Sequence, residues 1–219
     1  MTDKNQVQLT LITGFSAFIL GYINAHGVLF DIGVMVSPQT GNLVNMAVSL
    51  SAGDSSRFLN TWLIFSGFFL GCMFSTWLVG KIKNKQREFF VTWSIFIGPI
   101  FLNWLFIDYV TPRMAMLGLS FISGVGLCFF RKVGKLEINN NIVTGNMRFM
   151  GGALFEVLFR RDQSKVIVFW SFTLITFLFF LGALSVGFLA PYLGRSGSLL
   201  FVVLVGMLPY FLGLGLEAE

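Results

Sequence analysis

Twice in this chain the tripeptide Thr-Gly-Asn breaks into an otherwise apolar sequence, as Thr40-Gly41-Asn42 and as Thr144-Gly145-Asn146. A hydroxyl, a glycine and an amide in that order suit one kind of chemistry. Thr and Asn side chains accept from the free N–H groups of a helix start, and Gly lets a backbone or a solute approach closely. A helix start also presents a positive dipole end. The pattern reads as a hydrogen-bonding site for a small polar or anionic molecule. Ser37 and Asn141, each three residues before its tripeptide, extend both sets at the same offset. Asn24 and His26 flank the first set. Arg148, four residues after Thr144, adds a charge to the second, and its partner is either Glu137 or a bound anion.

No competing reaction site is visible. His26 is the only histidine, and a metal centre needs several ligands; its plainer reading is a hydrogen-bonded residue between helices. Cys72 and Cys128 lie in separate apolar runs, form no CxxC and read as small core residues. No Ser/His/Asp set shares a helical support. The expectation is no enzyme, no metal and no cofactor. Glu156 and Arg160 read as a pair on one helix face, Asp31 as interfacial, and Trp93, Trp104 and Tyr109 as interfacial anchors.

The elements that must position these residues follow from composition. The chain has 219 residues, 55% hydrophobic and 11% charged. A soluble domain carries about 25% charge, so most of this surface faces lipid. The net charge of +5 reports orientation in the bilayer rather than a nucleic-acid partner. Lys4 is the only basic residue before the first apolar run and no small-residue cleavage site follows it, so that run reads as a retained span. Continuous apolar runs cover residues 9–30, 58–80, 89–107, 114–130, 166–189 and 199–216. Two shorter segments, 41–52 and 145–159, both open at a Thr-Gly-Asn. At 1.5 Å per residue they are too short for a hydrocarbon core of about 30 Å.

The sequence thus divides into two repeats, 1–110 and 111–219, each with three spans and one short helix. Thr40 and Thr144 stand 104 positions apart, and Ser37/Asn141 and Met46/Met150 keep that spacing. If the short helices cross the membrane, the halves are parallel; if they are re-entrant, the halves are inverted. With re-entrant helices and a cytoplasmic N-terminus, eleven basic residues lie inside and three outside (Arg57, Arg113 and Arg195). The better crossing arrangement gives eight against six. The positive-inside rule favours inverted repeats. Inversion brings the two half-helix starts together near the midplane, the usual geometry of a transport site.

The chain resembles the YoaK-like bacterial multi-spanning membrane proteins, a domain family of unknown function. The resemblance rests on Gly21-Tyr22-Ile23-Asn24-Ala25, Ser37-Pro38-Gln39-Thr40-Gly41-Asn42, Arg131-Lys132-Val133-Gly134, Leu136-Glu137-Ile138-Asn139 and Val143-Thr144-Gly145-Asn146. It implies a permease-like fold without a settled substrate. Related sequences tend to carry Asp at the position of Asn24, so an acidic proton-coupling role in the first span does not transfer.

The expectation is an all-α protein of the bacterial inner membrane, with six spans, two re-entrant half-helices and both termini cytoplasmic. Its function is transport of a small polar or anionic solute, as channel or carrier. The alternative is a non-transporting scaffold that binds lipid or a partner protein. Ala17, Gly21 and Ala25, and Gly67-x-x-x-Gly71, allow close helix contact within the chain or in a homodimer.

Overall fold

The computed structural model describes residues 3–212. The helices are α1 (Asp3–Phe30), α2 (Gln39–Ser51), α3 (Ser55–Leu78), α4 (Lys85–Leu105), α5 (Pro112–Phe129), α6 (Val143–Phe159) and α7 (Lys165–Phe211). A hairpin of β1 (Lys132–Val133) and β2 (Leu136–Glu137) follows α5. Five helices, α1, α3, α4, α5 and α7, are long and apolar enough to cross a membrane. The chain is an all-α, membrane-embedded protein.

The two last apolar runs of the sequence form two helices that meet at a kink and are labelled together as α7. α7 has 47 residues, about 70 Å at 1.5 Å per residue, more than twice a hydrocarbon core. It breaks at Gly194, where φ is +60° and ψ −169°, three residues after Pro191. Only glycine adopts that conformation at no steric cost. Residues 213–216 of the last predicted run lie outside the described residues, as does the C-terminus whose side was predicted. The short helices begin two residues before the predicted starts, at Gln39 and Val143.

Two helix crossings hold the bundle, and both are made by glycine against backbone. A Cβ on Gly21 of α1 would meet the Phe179 carbonyl of α7, and one on Gly182 would meet the Phe18 carbonyl and the Tyr22 amide of α1. At the second crossing, a Cβ on Gly124 of α5 would meet the Phe68 carbonyl of α3. One on Gly71 would meet the Phe121 carbonyl and the Val125 amide of α5. In both cases each glycine sits on the carbonyl of the residue three positions before its opposite number. The same contact is built twice, α1 on α7 and α5 on α3. The small-residue spacing around Gly21 and Gly67/Gly71 therefore serves packing inside the chain.

Around these crossings α2 packs on α3 and α6 on α7, while α4 lies against α5 and α7. Trp93 of α4 is fully buried and donates to the Gly206 carbonyl of α7 at 2.8 Å, packing edge-on against Phe130. It is a core residue, not the interfacial anchor expected from sequence.

Valine at Gly71 or Gly182 drives methyls into a neighbouring backbone that cannot yield, costing on the order of 3 kcal/mol. Gly151, with open space around it, tolerates alanine. Thermal unfolding in detergent is expected to rank Gly71→Val and Gly182→Val far below Gly151→Ala. Equal melting temperatures would refute the backbone contacts.

Candidate functional site

The two polar breaks meet on one hydroxyl. Asn24 of α1 grips the first break: its Nδ2 donates to the Ser37 hydroxyl at 2.6 Å and its Oδ1 accepts from the Ser37 amide at 3.0 Å. The same Nδ2 donates to the Leu20 carbonyl at 2.7 Å. The Ser37 hydroxyl lies 2.8 Å from that of Ser123 on α5. Asn141, in the second break, donates to the Ser123 hydroxyl and carbonyl, both at 3.0 Å. All four residues are buried. Beside them Asn140 donates to the Ser16 hydroxyl and the Gly126 carbonyl, each at 2.9 Å.

The breaks reach this point from opposite ends of an antiparallel pair. Moving back along α1 from Gly27 through Leu20 to Ser16, the neighbours advance along α5 from Met116 to Gly126. The first break leaves the C-terminal end of α1 and folds back to the level of Asn24, six residues or about 9 Å inside that end. The second leaves the C-terminal end of α5 and folds back to Ser123, also six residues inside. On its way it is tied to α1, where Thr13 donates to the Lys132 carbonyl at 2.7 Å and Thr10 accepts from the Gly134 amide at 3.0 Å.

The tripeptides do not cap their helices as their types suggested. They lie inside the first turn, and neither α2 nor α6 receives a side-chain cap. The asparagines turn backwards instead. Asn42 donates to the Met35 carbonyl at 3.2 Å, and Asn146 donates to the Asn139 carbonyl at 2.6 Å while accepting from its amide at 3.3 Å. Both acceptors lie seven residues upstream, so each asparagine staples its own break. Gly145 leaves room for Asn139, whose Nδ2 would be 2.8 Å from a Cβ there. Thr40, Gly41, Thr144 and Arg148 are exposed. Among the described residues the hydroxyls of Thr40 and Thr144 carry no hydrogen bond.

Two charge assignments change. Glu137 faces Arg131 at 3.5 Å rather than Arg148, because the β1–β2 register sets Lys132 opposite Glu137 at the mouth of the hairpin. Arg148 lies over the Phe149 ring, 5.0 Å from its centroid, and pairs with no carboxylate among the described residues. Asp31 lies just past the end of α1, with its carboxylate buried in the protein, 3.0 Å from Arg195 and 3.4 Å from His26. The second nitrogen of His26 faces the Arg195 carbonyl at 3.4 Å. This cluster pins the α7 break to the end of α1 and, among the described residues, shares no hydrogen bond with the Ser123 centre, so His26 bridges α1 and α7. Glu156 and Arg160 pair at 3.0 Å as expected.

Residues 12–211 match the family described as "Protein of unknown function (DUF1275)". The chain belongs to this family. It is the family to which the motifs around Asn24, Ser37 and Asn139 pointed. No curated protein and no solved structure matches the chain.

Within this DUF1275 chain the predicted residues separate into two groups. Asn24, Ser37 and Asn141 are joined through Ser123, and Asn42 and Asn146 hold the breaks. Thr40, Gly41, Thr144 and Arg148 face outward. Ser123, Ser16 and Asn140 escaped the sequence reading. Serines in a long apolar run carry no repeat signal, although the run Asn139-Asn140-Asn141 was visible. Removing the shared hydroxyl should be felt more than removing an exposed one. Ser123→Ala is expected to destabilise the protein by about 1–3 kcal/mol, and Thr40→Ala by no more than about 0.5 kcal/mol. Denaturation of the two purified variants checks the ranking, and the reverse order would contradict the shared-hydroxyl centre.

Proposed function

We propose that this protein is a transporter or channel for a small polar or anionic solute. In this reading α7 counts as two spans divided at Gly194, and the chain forms two inverted three-span repeats with α2 and α6 as re-entrant half-helices. The single observation that carries the reading is the meeting of two breaks, entering from opposite ends of α1 and α5, on the Ser123 hydroxyl. Irregular backbone at depth is tolerated where it is buried in protein or lines a cavity. Paired broken helices in inverted halves are the usual frame of a transport site. The doubled glycine crossing supports the repeat, and the eleven-to-three distribution of basic residues supports cytoplasmic termini in a bacterial inner membrane.

The division of the polar residues narrows the solute contacts. Asn24, Ser37, Asn42, Asn141 and Asn146 are occupied by the protein and act as the frame. Thr40, Gly41, Thr144 and Arg148 are the solute-facing set. Both half-helix starts lack side-chain caps, so each offers amide donors and a positive dipole end. Arg148 lies one turn beyond Thr144 on the same face. A guanidinium facing lipid at the centre of a span costs about 3 kcal/mol, which favours a hydrated or anion-occupied surface at Arg148. The scaffold reading draws on a different observation: the Asn24–Ser37–Ser123–Asn141 chain is buried and bonded to itself. In that reading a second copy, in a homodimer, or lipid covers the outward faces of α2 and α6.

A thermal-shift screen of the purified protein against small metabolites and inorganic anions, followed by uptake of any stabilising compound into proteoliposomes, separates the two readings. Thr144→Ala and Arg148→Ala are each expected to cut uptake at least tenfold at unchanged folded yield. Unaltered uptake in both variants, or a screen in which no compound stabilises the protein, would leave the scaffold.

A further inference from the structure

Cys72 and Cys128 are more than fifty residues apart in sequence, yet the second glycine crossing brings them together. Gly71 and Gly124 bring α3 and α5 to backbone contact, with the Cys72 amide 3.0 Å from where a Gly124 Cβ would lie. The Cys72 thiol points at the Gly124 carbonyl, 3.8 Å away. In an α-helix that carbonyl accepts from the amide four residues on, which here is Cys128. The Gly124 carbonyl therefore stands between the Cys72 thiol and the Cys128 backbone, and both cysteines belong to the contact of α3 with α5. Neither cysteine is fully buried, and both are free. At the twin crossing of α1 on α7, the residues at the matching steps are Ala25 and Ala183. The thiol pair is therefore a feature of one crossing and is not demanded by the packing that both share.

We infer that Cys72 and Cys128 are a redox-active pair that closes a reversible disulfide between α3 and α5 on exposure to a peroxide. Disulfide formation needs close Cα atoms and facing Cβ vectors, and the glycine crossing brings the two backbones into contact within one turn of each cysteine. The chemistry balances in two steps. One thiol gives up its proton and attacks a peroxide oxygen as the thiolate, the O–O bond breaks, and the leaving hydroxide takes up that proton, so that a sulfenic acid and water form. The second thiol attacks the sulfenic sulfur, the S–S bond forms and a second water leaves. Two thiols are oxidised and one hydrogen peroxide is reduced to two waters. The pair lies towards the end of α5 that carries Arg131 and Lys132, where a reducing cytoplasm would reopen the bond between exposures. The link itself rests on the crossing, and its reopening in the cytoplasm rests on the orientation proposed above.

The test uses the full chain, purified in detergent with its thiols reduced and then treated with hydrogen peroxide. The expected result is loss of both maleimide-reactive thiols together and a fall in intact mass by two hydrogens. Peptide mapping should give a Cys72–Cys128 link, and dithiothreitol should restore both thiols. Cys72→Ser and Cys128→Ser should form no internal link. Thiols that remain fully alkylatable after peroxide, or links found only between copies of the chain, would overturn it.

Discussion

A backbone that leaves its helix inside an apolar medium must find hydrogen-bond partners within the protein, because lipid offers none. This chain does so twice, and both solutions end on the hydroxyl of Ser123. Much of the rest of the architecture serves that contact. α1 and α5 must run antiparallel so that breaks leaving their C-terminal ends converge. Asn24 must stand within reach of Ser37, and Asn141 must reach inward past the end of α5. Asn42 and Asn146 then close each break against its own upstream carbonyl, which lets α2 and α6 begin without a capping side chain.

The glycine crossings set the distances for this centre. With α3 drawn against α5, and α7 against α1, the two central helices are clamped from both sides. The break in α7 is fixed in turn by the half-buried Arg195 on the buried Asp31 carboxylate and by the Tyr22 hydroxyl on Ser198 at 2.7 Å. Removing Arg195 would leave the buried Asp31 carboxylate without its cation, which is costlier than the net worth of the pair, so this contact acts as a rivet. The result is a rigid frame whose outward half-helix faces carry Thr40, Thr144 and Arg148.

Much of the fold was legible in the sequence for local reasons. Helix length, apolar runs and the repeated Thr-Gly-Asn are properties of short windows, as is the glycine spacing that predicts close contact. What failed was long-range. Nothing local distinguishes an asparagine that caps its own helix from one that turns back seven residues, because both use the same amide. Ser123 looks like any serine in a span until the second break is brought beside it. Glu137 is near Arg148 along the chain, but the hairpin hands it to Arg131. Asp31 and Arg195 are separated by most of the chain, and only the glycine break in α7 returns one to the other.

The central claim is that the two half-helices turn back on opposite sides of the membrane. Single cysteines at Ser55 and Ser164, the residues just beyond α2 and α6, report this directly when introduced into a chain lacking Cys72 and Cys128. A membrane-impermeant maleimide applied to intact cells should label the Ser55→Cys chain at once and the Ser164→Cys chain only after lysis. Labelling of both positions from the same side would mean that the short helices cross, and it would contradict the inverted arrangement.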